Sequence, residues 1–186
     1  MSLKIITQPV TEPITLEEAK AHLRVTHAEE DACISTLIII AREICEAKTL
    51  QALAPQTWRV TLDRFPSAIE LVMTPVTSIL SIKYRDYNND IQTLSPSSYR
   101  LDNSNDFTSA WALPADGYTW PTTYDSINAV ELDYVAGYTA APASYKQWML
   151  LTIGHFYRNR ESASELNLQP LTYIDSLLTK RKLWYA

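Results

Sequence analysis

The stretch Ala129–Glu161, AVELDYVAGYTAAPASYKQWMLLTIGHFYRNRE, carries the fold class. Val130, Leu132 and Tyr134 alternate with polar neighbours, the period-two pattern of a strand with one buried face. The strand ends at Gly137 and a short Ala/Pro loop follows. The spacing then predicts a helix from about Ala143 to Arg160 that is apolar on almost every side and closes on a basic, polar cluster. A helix apolar all round is covered, by its own core or by other chains. No catalytic group sits in it at a useful spacing. The stretch describes a building block that assembles rather than an enzyme.

Upstream of this strand, residues 56–138 read as β. Trp58, Val60 and Leu62 alternate, as do Ile69, Leu71 and Met73. Pro66-Ser67 lies between them, which predicts a hairpin with a short loop. Leu80, Ile82 and Tyr84 alternate next, followed by the turn Asn88-Asn89-Asp90 and a strand near Ile91–Leu94. Tyr99–Leu101 and Trp111–Leu113 are shorter strands, and Val130–Tyr134 closes the sheet.

The N-terminal part reads as an arm and a helix pair. Pro9 and Pro13 forbid a regular helix in the arm Leu3–Pro13, where Ile5, Ile6 and Val10 are apolar handles. An arm of this kind needs something to lie on. Thr15-Leu16-Glu17-Glu18 is a capping box that opens a helix with Leu16, Ala19 and Leu23 on one face. Thr26-His27-Ala28-Glu29 repeats the box and predicts the start of a second helix. There Ile34, Leu37, Ile38, Ala41, Ile44 and Cys45 follow the 3.6-residue period. A last short helix follows Pro170, with Leu171, Ile174, Leu177 and Leu178 on one face. The expected fold is α+β: a helical bundle from the N- and C-terminal segments with an inserted antiparallel β module. The divisions fall at 1–55 for the arm and helix pair, 56–138 for the β module, and 139–186 for the C-terminal helices and tail.

The chain has 186 residues, 46% hydrophobic and 20% charged, which suits one soluble core or one core with an insertion. No apolar run reaches the ~20 residues that cross a bilayer. The N-terminus lacks a basic region followed by an apolar stretch, so the expectation is folding in a cytoplasm. A net charge of −5 argues against a protein that grips nucleic acid. It is compatible with a protein past which DNA slides.

The residues that carry chemistry are sparse. His22 and His27 are five positions apart across a helix break, a poor metal geometry, and His155 stands among Gly154, Phe156 and Tyr157. Asp102-Asn103-Ser104-Asn105-Asp106 alternates oxygens like a calcium loop, but Phe107 replaces the expected glycine and Leu113 the expected glutamate. It reads as a polar turn. Three glycines in the whole chain leave no phosphate-cradling loop, and no nucleophile elbow or dinucleotide fingerprint is present. Cys33 and Cys45 lie on one predicted helix, about 18 Å apart at 1.5 Å per residue, too far for a disulfide. Both read as buried or half-buried thiols. The expectation is a protein without catalytic residues, metal or cofactor. Five Trp and eleven Tyr read mainly as core. If exposed on the β part, they would make a binding module for carbohydrate or peptide, the alternative function.

Three features stand outside this core reading. Ile39 projects nearly opposite Leu37, beside Ser35, Arg42 and Glu46: it is either scattered surface or, with Arg42 and Glu46, a face covered by a neighbouring subunit or by the β module. Gly154 inside a helix implies a close approach by a neighbouring backbone or aromatic ring. The C-terminal Lys180-Arg181-Lys182-Leu183-Trp184-Tyr185 joins three cations to two aromatics, either a frayed end whose aromatics tuck back onto the body or a docking segment.

The strings LEEAKAHLRV, AREICEAKT, QTWRVTLDRFP and YVAGYTAAPASYKQWMLLTIGHFYRNRE, in that order, resemble the head–tail connector (adaptor, or head-completion) proteins of long-tailed bacteriophages and prophages. The resemblance covers most of the chain and is weakest from Tyr84 to Tyr124. It implies a structural subunit of a homo-oligomeric ring of about twelve copies. The ring would sit at the head–tail junction of the virion, below the portal protein. It would extend the DNA channel without specific DNA binding and present a surface to a downstream neck or tail-completion protein. The resemblance makes the portal the partner of the Lys180–Tyr185 segment.

Overall fold

The computed structural model describes residues 1–104, 109–159 and 172–178. The Thr15/Glu18 box works as read. The Glu18 N–H donates to Thr15 Oγ1 at 3.1 Å, the Thr15 N–H donates to Glu18 Oε2 at 2.9 Å, and α1 (Leu16–Leu23) follows. The second box is not used. Helix α2 (Asp31–Thr49) begins two residues beyond Glu29 and has no side-chain cap. The reason is local: the Glu29 carboxylate is drawn to His27 Nδ1 at 2.6 Å and does not reach back to the Thr26 backbone. Helix α3 (Ala143–Arg158) ends near the expected position, and its C-terminal carbonyl at His155 accepts from both the N–H and the side-chain amide of Asn159.

The strands form two antiparallel sheets. The first runs β1-β2-β8-β4-β5, with β1 (Ser2–Thr7), β2 (Gln56–Leu62), β8 (Val130–Ala136), β4 (Val76–Arg85) and β5 (Ile91–Thr93). The second runs β3-β7-β6, with β3 (Ile69–Leu71), β7 (Ala110–Pro114) and β6 (Tyr99–Asp102). Two expectations are corrected here. The predicted hairpin between Leu62 and Ile69 does not form, because β2 takes β1 and β8 as partners while the chain crosses at Pro66 to put β3 against β7. Strand β8 does not close the sheet; it lies at the centre, bonded to β2 and β4. Alternation reveals which face of a strand is buried, but it says nothing about which strand lies beside it. The arm is also more than an apolar strap: its first residues are an edge strand of the five-stranded sheet, in register Leu3 to Val60 and Ile5 to Trp58.

Two apolar cores result. One joins α1, α2 and α3 through Ile14, Ala19, Ile34, Ile38, Cys45 and Met149, and the turn Thr172–Leu177 adds Ile174. The other fills the space between the two sheets with Val60, Ile69, Leu71, Ile82, Leu132 and Tyr134. Helix α3 is covered nearly all round, as its composition requires: only Ala143, Gln147 and Arg158 are exposed.

The segment after α2 stitches the two cores together. Ala52 bonds the backbone of both Thr74 and Tyr138, and Gln51 Oε1 accepts from the Tyr145 hydroxyl at 2.6 Å and the Tyr138 hydroxyl at 3.1 Å. Gly137 lies against this segment at φ +136°, and a Cβ there would overlap the Ala54 carbonyl. Both conformation and space demand glycine at this point. Gly154 is different. The group it admits is the His22 imidazole, at 3.6 Å from an ideal Cβ, which is ordinary contact. The close approach expected from the sequence is therefore looser than one that only glycine permits. Gly137→Ala should destabilise the protein by roughly 2 kcal/mol or more. Gly154→Ala should stabilise it by up to about 1 kcal/mol through helix propensity. Urea titration of both variants checks the pair, and the reverse order of stability would contradict this packing.

Candidate functional site

The three residues Ile39, Arg42 and Glu46 do not share one environment. Arg42 and Glu46 are buried and used inside the chain. The Arg42 guanidinium donates through Nη1 to Glu46 Oε2 at 2.9 Å, through Nε to Glu12 Oε2 at 2.8 Å and through Nη2 to Gln8 Oε1 at 3.3 Å. Glu46 Oε1 accepts from the Leu53 N–H at 2.8 Å and from Gln56 Nε2 at 2.7 Å. The arm thus lies across this face of α2 and supplies two of the ligands for Arg42. Burial works against the Arg42 charge, but Glu46 and Glu12 outweigh it and hold its pKa above the ordinary value. Burial dominates at Glu46 and pushes its carboxyl upward, opposed by the Leu53 N–H, Arg42 and Gln56. Besides their mutual bond, four hydrogen bonds, to Glu12, Gln8, Leu53 and Gln56, satisfy the two partners. The expected cover, a neighbouring subunit or the β module, is corrected for Arg42: the arm of the same chain lies over it, through Gln8 and Glu12.

Ile39 remains outside, 41% exposed, with Ile40 at 36% on the same stretch of α2. Ala32, Cys33, Thr36, Glu43 and Ala47 continue this uncovered face along the helix. Next to it, an apolar groove of about 400 Å³ runs between α2 and α3, lined by Cys33, Leu37, Ile40 and Phe156. Tyr157 and Asn159 line both this groove and a larger cleft of about 680 Å³. The cleft lies where α1 and α3 end, and His22, Arg24, His155 and Arg158 face it. The groove and the cleft form one continuous surface at one end of the bundle. The basic cluster was legible at the end of α3, but its meeting with α1 was not.

The chain's sequence and its fold each have counterparts. The family model of the phage gp6-like head-tail connector protein matches residues 13–113. The chain belongs to this family. A search of curated proteins returns no match. Among solved structures, the fold is similar to a chain in the neck of an empty gene transfer agent particle computed with C6 symmetry. The TM-score is 0.81 at 21% identity, covering 100% of this chain and 97% of that one. It is also similar to a chain in the virion of the native gene transfer agent particle, with TM-score 0.80, 21% identity and the same coverage. A third is in the neck of the native particle computed with C12 symmetry, with TM-score 0.78, 20% identity and the same coverage. The protein is a structural head–tail connector, a component of the virion at the junction of head and tail.

The other candidate residues of the connector fall as follows. His22 and His155 come to the same cleft, whereas His27 faces Glu29 and Glu30. Among the described residues no group of three His, Cys, Asp or Glu could hold a metal ion. In the polar turn, Asp102 Oδ1 accepts from the Ser104 hydroxyl at 2.8 Å, and Asn103 Nδ2 donates to the Val76 carbonyl at 2.9 Å, so these side chains tie down backbone. Asn105 and Asp106 lie outside the described residues, as does the Lys180–Tyr185 segment. Cys45 is buried, but Cys33 is exposed, contrary to the expectation of two covered thiols. The helical period allowed Cys33 on either face, and among the described residues nothing covers it.

Arg42→Met should destabilise the connector by roughly 3 kcal/mol, because it strands a buried carboxylate. Urea denaturation of this variant checks the value, and wild-type stability would show that the arm does not depend on Arg42. The two thiols make a separate test. Burial pushes the Cys45 thiol up to about 12, so native protein at pH 8 should react with a disulfide reagent at Cys33 alone. Cys33→Ser should abolish that fast reaction. The raised thiol pKa also sets a sign. Its stabilising effect is full below the ordinary value of 9.0 and is lost as pH rises towards about 12.

Proposed function

We propose that this connector forms a closed ring below the portal protein at one capsid vertex, extends the DNA channel, and offers a landing surface to a downstream neck or tail-completion protein. The observation that carries the reading is family membership across residues 13–113. Full-length likeness to neck chains from particles computed with C6 and C12 symmetry supports a ring, with about twelve copies as the expected number. The net charge of −5 supports a channel that DNA traverses without adhering.

Two surfaces serve assembly in this reading. The outer face of α2 around Ile39 meets a neighbouring subunit: two exposed isoleucines on one helical turn make an apolar patch suited to another chain. Arg42 and Glu46 support that face from behind by fixing α2 to the arm. The Lys180–Tyr185 segment docks on the portal: its cations steer it to an acidic surface, and Trp184 and Tyr185 anchor it.

Deleting Leu183–Ala186 should leave melting unchanged and abolish co-sedimentation with DNA-filled, tailless capsids. Full binding by the truncated protein would overturn portal docking by the tail. Ile39→Asp should retain wild-type stability and lose ring formation on the same capsids, as counted by cryo-electron microscopy. Normal rings from this variant would remove Ile39 from the subunit contact.

A further inference from the structure

We propose that the groove and cationic cleft at the end of the helical bundle receive the loop 115–129 of the next copy of this chain. The inference rests on the ring reading and names the contact that closes the ring. A ring needs two different patches on each subunit, one meeting the other around the axis. Copies that each carry a net charge of −5 repel unless opposite charges meet at the contact. Arg24 and Arg158, with His22 and His155, gather at one cleft that, among the described residues, is lined by no Asp or Glu. Glu30 is nearby but is engaged by the Tyr157 hydroxyl and by His27. The apolar groove adjoining the cleft ends at the same Tyr157 and Asn159. The complementary partner is a segment with a carboxylate between apolar side chains.

The loop between β7 and β8 has this composition and is held ready to present it. Such a long irregular connection in a compact domain is more often functional than incidental. Trp120 anchors it from within, stacking on Phe65 at 4.8 Å with 7° between the planes and donating to the Ser67 carbonyl at 3.3 Å. The Tyr124 N–H is fixed to the Arg85 carbonyl at 3.0 Å, and the Asn128 N–H to Asp63 Oδ1 at 2.9 Å. Between these points Tyr124 is 41% exposed and Ile127 82%, with Asp125 also exposed. Pre-ordered backbone displaying apolar side chains to solvent lowers the entropy cost of docking. Ile127 and Tyr124 fit the apolar groove, and Asp125 fits the cationic cleft.

Cys33, exposed at the groove, provides the test. Ile127→Cys is placed in the full-length chain, assembled on DNA-filled, tailless capsids, and treated with a short bismaleimide. Ile127 is so exposed that the substitution does not threaten folding. The expected result is a ladder of covalent oligomers on denaturing gels that disappears when Cys33→Ser is added. Rings that form but give no Cys33-dependent ladder would overturn this contact and leave the ring intact. The absence of rings from the unmodified protein would overturn the ring reading and this inference with it. A second arm reverses charge: Arg24→Glu with Arg158→Glu should abolish ring formation, and Asp125→Lys should restore it in part. If this reversal leaves rings unchanged, or instead removes binding to duplex DNA, the loop is not the occupant of the cleft.

Discussion

The buried Arg42–Glu46 pair is the constraint around which the chain is arranged. A guanidinium and a carboxylate in an apolar setting cost several kcal/mol to desolvate, and they are tolerated only when their remaining donors and acceptors are filled. Here the filling groups come from three places in the sequence: Gln8 and Glu12 in the arm, the Leu53 backbone after α2, and Gln56 at the start of β2. Satisfying one ion pair therefore fixes the path of the arm over α2, the exit of α2, and the entry into the sheet. The strand β1 that precedes Gln8 is delivered to the edge of β2 by the same geometry.

The junction between helices and sheets is held by buried hydrogen bonds as well as by apolar packing of Ala52 and Leu53. Gln51 is fully buried, with its side-chain oxygen taken by two tyrosine hydroxyls, and Ala52 bonds on both sides. Buried polar networks of this kind orient their neighbours narrowly, because any shift leaves an unsatisfied group. For a connector the consequence is mechanical: the bundle and the β part present their surfaces at a defined angle. Apolar residues left uncovered in such a body, on α2 and on the loop 115–129, are then features of a fixed shape rather than of a flexible one.

The local elements were largely legible. The Thr15/Glu18 box, the buried stripe of α2, the β4–β5 hairpin at Asn88-Asn89-Asp90 and the covered character of α3 all follow from nearest-neighbour chemistry and period, and the structure contains each of them. The candidate surface was legible only in part. Ile39 broke the polar pattern of its face and is exposed, whereas Arg42 and Glu46, placed on the same face by the helical period, are buried inside the chain. A charged residue in a sequence carries no mark of whether a distant segment will fold over it.

What the sequence by itself determined is the α+β class, the segments that form helix and strand, and the absence of familiar catalytic motifs. These depend on interactions within a turn or two of chain, where composition and spacing are sufficient. Only the tertiary structure decided that β8 lies at the centre of the sheet, that β2 pairs with β1 instead of β3, and that the arm covers Arg42. It likewise brought the cations of α1 and α3 to one cleft beside the α2 groove. Each of these joins residues far apart in sequence. Strand alternation and helix period are blind to partner identity, and the choice among partners is made by which arrangement buries both cores while leaving the Arg42–Glu46 pair satisfied.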